Sequence, residues 1–139
     1  MDVNKLLKAL ENESNENLMN FTTYKLKEMN KKVLKELPLS KEKYLDYIKK
    51  LKNYKFIDEL NDLKYGTYIR WIDISNTDHL ELTKGSIFCE TKITDNEIVL
   101  VCKGFYNSYF QIKLNNCLVF QHLTNEEKIL LNALDYLSK

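Results

Sequence analysis

The sequence predicts an α+β fold, and three observations carry that prediction. Residues 1–62 contain no glycine and one proline, and they space their apolar residues at helical intervals. From Gly66 onward the apolar interval drops to two, the period of a strand with one face buried. Thr124-Asn-Glu-Glu127 is a capping box, and a wide apolar stripe follows it. The change of period divides the chain into a helical segment, 1–62, and a β-domain with a C-terminal helix, 63–139.

The elements follow in chain order. Val3, Leu6, Leu7 and Leu10 share one helical face, and the polar run Asn12 to Asn17 breaks it. A longer amphipathic helix is expected from about Asn17, through Leu18, Phe21, Met29 and Val33. It must stop before Leu37-Pro38, because proline disfavours the α conformation in the residue before it. Ser40 is a candidate N-cap for a helix through Tyr44, Tyr47, Ile48 and Leu51. Phe56, Ile57, Leu60 and Leu63 prolong helical spacing to Gly66.

Beyond Gly66, GTYIRWIDI is expected to be a strand covered on both sides, because Ile69 and Trp71 lie on one face and Ile72 and Ile74 on the other. In GSIFCETKIT the residues Ile87, Cys89, Thr91 and Ile93 alternate with a more polar set, which predicts a strand buried on one face. EIVLVCK is apolar on both faces. SYFQIKL places Phe110, Ile112 and Leu114 together, and Asn115-Asn116 reads as a two-residue hairpin turn before CLVFQHL. Five such short strands close most naturally into a small antiparallel sheet or an SH3-like barrel. Ile129, Leu130, Ala133, Leu134 and Leu137 would let the last helix cap the sheet's open end or outer face.

Totals exclude several functions. At 139 residues there is room for one good core, and a net charge of +1 gives no general attraction to nucleic acid or anionic membrane. No apolar run approaches the roughly 18 residues of a membrane span, and the N-terminus lacks the pattern of a signal peptide, so a cytoplasmic location is expected. Cys89, Cys102 and Cys117, three in number and widely spaced, suit reduced thiols rather than a disulfide framework. Twenty lysines face a single arginine and fifteen residues are asparagine, a bias that AT-rich coding produces.

Catalytic chemistry finds little support. Cys117 and His122 lie five residues apart on one predicted strand and so point to opposite faces. The cysteines lack the close pairs that grip zinc, and three glycines leave no phosphate-binding loop. No enzyme, cofactor or metal is expected. Two stretches stand out as binding candidates. Tyr68, Arg70 and Trp71 include the chain's only arginine and only tryptophan, the side-chain types most enriched at interface hot spots. In residues 41–56, lysines and aromatics interleave, and Lys49, Lys50, Lys52 and Tyr54 could hold a nucleic-acid backbone. At helical spacing the same tyrosines also make an ordinary core-facing stripe.

The segment LKYGTYIRWIDI, with LTKGSIFCETKI, EIVLVCK, YFQIKL and LVFQHLTNEEKILLNALDYL, resembles short uncharacterised proteins of nucleocytoplasmic large DNA viruses over residues 60–137. Its most specific part is Tyr68-Ile69-Arg70-Trp71-Ile72. The resemblance implies a small sheet, a closing helix and work in an infected cytoplasm or a virion, and it supplies no catalytic residues. The leading expectation is a non-enzymatic interaction or assembly module acting through protein–protein contacts. The alternative is a nucleic-acid-associated protein.

Overall fold

A computed structural model describes residues 3–12 and 22–138. The polar break at Asn12 to Asn17 and the positions Leu18 and Phe21 fall, apart from Asn12, outside the described residues. Helices α1 (Val3–Glu11), α2 (Thr23–Lys35) and α3 (Lys41–Lys50) come first. The Thr22 hydroxyl accepts from Lys25 N–H and the Ser40 hydroxyl from Lys43 N–H, so each helix start satisfies one otherwise orphaned donor. α2 ends at Lys35 with Glu36 as its C-cap, two residues before Pro38, as the proline demands.

The sheet has six strands, not five. β1 (Tyr54–Phe56) lies inside the stretch whose spacing reads as helix, and β2 (Tyr68–Asp73), β3 (Ser86–Ile93), β4 (Ile98–Lys103), β5 (Tyr109–Lys113) and β6 (Cys117–His122) follow. All pairings are antiparallel, in the order β1-β6-β2-β3-β4-β5. The three residues of β1 acquire strand character by pairing with Phe120–His122, far along the chain. The sheet is open, with β1 and β5 as edges, so no hydrogen-bonded barrel closes.

Asn115-Asn116 is not a hairpin either. Leu114–Asn116 forms a 3-10 turn that carries the chain from edge strand β5 to β6, deep in the sheet beside β2. Four Cα steps reach at most about 15 Å, whereas four strand spacings in a flat sheet need about 19 Å. The sheet must therefore curl strongly.

Curling gives the sheet an inner core of Ile57, Leu63, Ile69, Trp71, Phe88, Leu100, Cys102 and Val119. Its outer face packs Ile72 and Phe120 against Leu34 of α2 and Tyr47 and Leu51 around α3. β2, β4 and β6 are thus buried on both sides, as GTYIRWIDI and EIVLVCK predict for β2 and β4. β3 departs from the expected face. Ser86 and Phe88 point inward and Ile87 is exposed; a bulge between Phe88 and Glu90 then shifts the register, and Ile93 at the strand's end is exposed as well.

α4 (Asn125–Leu137) carries the predicted capping box on Thr124 and Glu127. It packs against α1 and α2 through Leu130 and Leu131, with Ala9, Leu26 and Leu123, rather than over the sheet's open end. Leu137, expected in its stripe, is exposed. On α1, Leu6 and Ala9 turn inward, while Val3, Leu7 and Leu10 stay exposed. Among the described residues no helix is long and apolar enough to cross a membrane.

Candidate functional site

Two surfaces gather the residues that the sequence singles out. The first forms where the β2–β3 connection folds back along β2. Gly85 has φ +95°, and a Cβ there would collide with the Ile69 carbonyl oxygen and stand 2.6 Å from a Tyr68 ring carbon. Only glycine lets the two segments approach this closely. The approach is fixed by polar contacts: Thr83 N–H donates to Trp71 O (2.9 Å), Trp71 N–H to the Thr83 hydroxyl (3.1 Å), and Tyr68 Oη to Lys84 O (2.7 Å). Arg70 spends its Nε–H on the Thr83 carbonyl at 2.8 Å. The lone arginine thus ties the connection to the strand.

Across four strands, the register aligns Tyr68 with Ile87, Ile87 with Lys103, and Lys103 with Tyr109. All four side chains are exposed. At the end of this row the β4–β5 turn is closed by Gly104 N–H to Ser108 O and by the Ser108 hydroxyl to Phe105 O. Tyr106 and Asn107 both adopt the left-handed region, at φ 57° and 60°. Asparagine tolerates that region, but tyrosine adopts it rarely and at a cost of about 1–2 kcal/mol. The turn holds Phe105 at 87% exposure and Tyr106 fully exposed.

Trp71 and Phe110, whose rings are 5.8 Å apart, join Tyr68, Ile87, Lys103, Phe105 and Tyr106 in lining a groove of about 750 Å³. Among the described residues its only charged lining residues are Lys84 and Lys103. Of the three predicted partner-binding residues, Tyr68 and Trp71 line this groove and Arg70 does not. Phe105 and Tyr106, which also line it, escaped sequence reasoning. Their signal was present in FYNSYF, a turn whose aromatic content exceeds what a solvated loop requires.

The second surface is basic. Lys49 and Lys52 line a groove between α2 and α3, while Lys50 pairs with Asp46 at 2.8 Å. Tyr54 does not belong to that helical stripe. It sits on β1, half-buried, with its ring edge-on to His122 at 5.0 Å, and burial pushes its phenol above the usual range against the opposing effect of Arg70.

The thiols are scattered. Cys102 lies in the inner core, and burial pushes its pKa up to about 12; burial also raises Cys117, to about 11. His122 Nδ1 is 2.8 Å from Leu123 O. Among the described residues no group of three or more His, Cys, Asp or Glu is arranged to hold a metal ion.

The chain matches no protein-family model, no curated protein and no solved structure.

Proposed function

We propose that this chain is a non-enzymatic interaction module that takes an extended segment of a partner protein into the aromatic groove. The carrying observation is the exposure of Phe105 and Tyr106 beside Trp71, with Tyr106 in a conformation its side chain disfavours. Strain of that kind persists where it serves a site, and clustered exposed aromatics mark surfaces that another molecule covers. Tyr68 and Trp71 form part of the groove, and Arg70 acts behind it by holding the Thr83 backbone against β2. Edge strand β5 runs alongside, and its outward N–H and C=O groups are available to pair with an added strand. Lys84 and Lys103 favour a segment carrying acidic residues.

The non-catalytic part of the reading is supported by Cys102 and Cys117, because groups with pKa values near 12 and 11 are almost wholly protonated at neutral pH. We further describe β2 to β6 as SH3-like. The support is the order of five short strands in which a 3-10 turn returns the last beside the first. The likeness of residues 60–137 to small proteins of large DNA viruses extends the proposal to an assembly role in an infected cytoplasm or a virion.

The test is recovery of partners from native extract on the immobilised full chain, compared with a Phe105→Ala/Tyr106→Ala variant. Both positions are exposed, so stability should change by less than about 1 kcal/mol. The expected result is a protein retained by the parent chain and lost by the variant. Identical retention by both would remove the groove as the binding surface.

A further inference from the structure

The basic groove between α2 and α3 continues into a second one between α2 and α4. Each holds about 250 Å³, and Lys27 and Lys52 line both. Lys31 and Lys49 complete the first and Lys128 the second, so five ammonium groups edge one continuous trough. Its floor is apolar, with Ile48 and Leu51 on one side and Leu123 and Leu131 on the other. Among the described residues no carboxylate lines it. The nearby acids are engaged: Glu28 stands 3.6 Å from Lys31, and Asp135 accepts from the Thr23 N–H and hydroxyl at 2.8 and 2.6 Å. In a chain of net charge +1, a trough lined by five lysines, one of them paired with Glu28, is a local positive excess that suits a polyanion.

Two exposed tyrosines flank the trough. Tyr24 precedes Lys27 by three residues on α2, and Tyr136 follows Asn132, a lining residue, by four on α4. Residues at those spacings are neighbours on a helix surface. A nucleic-acid strand can stack its bases on rings so placed while its phosphates meet lysines.

We infer that this trough binds single-stranded nucleic acid. Phosphates lie along the five lysines and bases stack on Tyr24 and Tyr136. The lysine-only lining gives backbone attraction without the bidentate base reading that arginine provides, so binding is tolerant of sequence. Compared with the four residues that the sequence suggests, Lys49 and Lys52 remain, Lys50 and Tyr54 drop out, and three lysines and two tyrosines from α2 and α4 enter.

The test uses the full chain and a fluorescently labelled oligonucleotide of mixed sequence, as DNA and as RNA, read by anisotropy. Binding is expected at about 50 mM salt, weakening with a slope of about −3 in log K against log salt, the value for four to five phosphates on a single strand. Lys49→Glu/Lys52→Glu is expected to weaken binding more than about tenfold, the order of loss when phosphate contacts are removed. Lys92→Glu/Lys113→Glu, an equal charge change on exposed sheet residues, should weaken it far less. Tyr24→Ala should cost about tenfold through lost stacking. No anisotropy change at about 50 mM salt would overturn the inference, as would equal losses in the two double variants. An unaltered affinity of Tyr24→Ala, with inorganic polyphosphate competing as well as the oligonucleotide, would overturn the nucleic-acid assignment and leave phosphate attraction alone. The Phe105→Ala/Tyr106→Ala variant should bind the oligonucleotide normally, which separates this outcome from the fate of the peptide groove.

Discussion

At Gly85 one added carbon decides whether the β2–β3 connection can lie on β2 at all. Gly85→Ala meets both a positive φ and the Ile69 carbonyl, and should cost more than about 2 kcal/mol in urea unfolding. Gly66→Ala, at φ +82° with open space around it, should cost only about 1–2 kcal/mol. Arg70→Lys should also destabilise, by about 1–2 kcal/mol, because an ammonium cannot place a donor where Nε–H meets Thr83 O. Cys102 predicts a pH effect. Burial holds its folded pKa at about 12, above the ordinary thiol value of 9.0, so the unfolded chain loses this proton first as pH rises. Stability from this group is complete below about pH 9 and is lost between about 9 and 12. The urea midpoint of the parent chain should fall through that window, and Cys102→Ala should flatten the fall. An unchanged slope would assign the alkaline loss to other groups.

Among the elements, local features were legible in the sequence and long-range pairings were not. Ser40 and Thr124 cap their helices as read, because a cap is settled within four residues. Pro38 limits α2 for the same reason. Strands β2 to β6 were legible in the sequence, and of Phe110, Ile112 and Leu114 the last two pack against the core while Phe110 stays exposed beside Trp71. β1 did not, since three residues carry no usable period and take their character from β6, more than sixty positions later. The β3 bulge was hidden too, because alternation in sequence cannot show where a register slips. Nor could α4 reveal whether its stripe meets a sheet or other helices. β1 has a further partner in α2: Asn30 Nδ2 donates to Tyr54 O (2.9 Å) and Phe56 N–H donates to Asn30 Oδ1 (3.0 Å), so a side chain occupies the place of a neighbouring strand. Asn30→Ala leaves a buried donor and acceptor unmet and should cost about 2–4 kcal/mol, with faster hydrogen exchange at Phe56 than at β2 amides. Thr124→Ala removes one arm of the capping box and should cost about 1 kcal/mol.

For the molecule as a whole, the aromatic groove and the lysine trough lie on different elements: the first on β2 to β5 and their turns, the second on α2, α3 and α4 with the adjoining segments. Their separation is testable with the chain's single tryptophan. Trp71 lines the groove and no part of the trough, so a partner segment in the groove should shift its emission and an oligonucleotide should not. An equal shift with both ligands would mean that the surfaces are coupled or shared. The sequence showed the two chemistries as separate stretches but not the surfaces themselves, because each is assembled from residues that only folding brings together. One asparagine has a consequence beyond its own helix. With Asn30 satisfying the backbone at β1, strands can be added only along β5, and a sheet with a single free margin joins at most one neighbour. Two copies can meet margin to margin and then stop. Endless stacking into fibrils is closed off by one carboxamide.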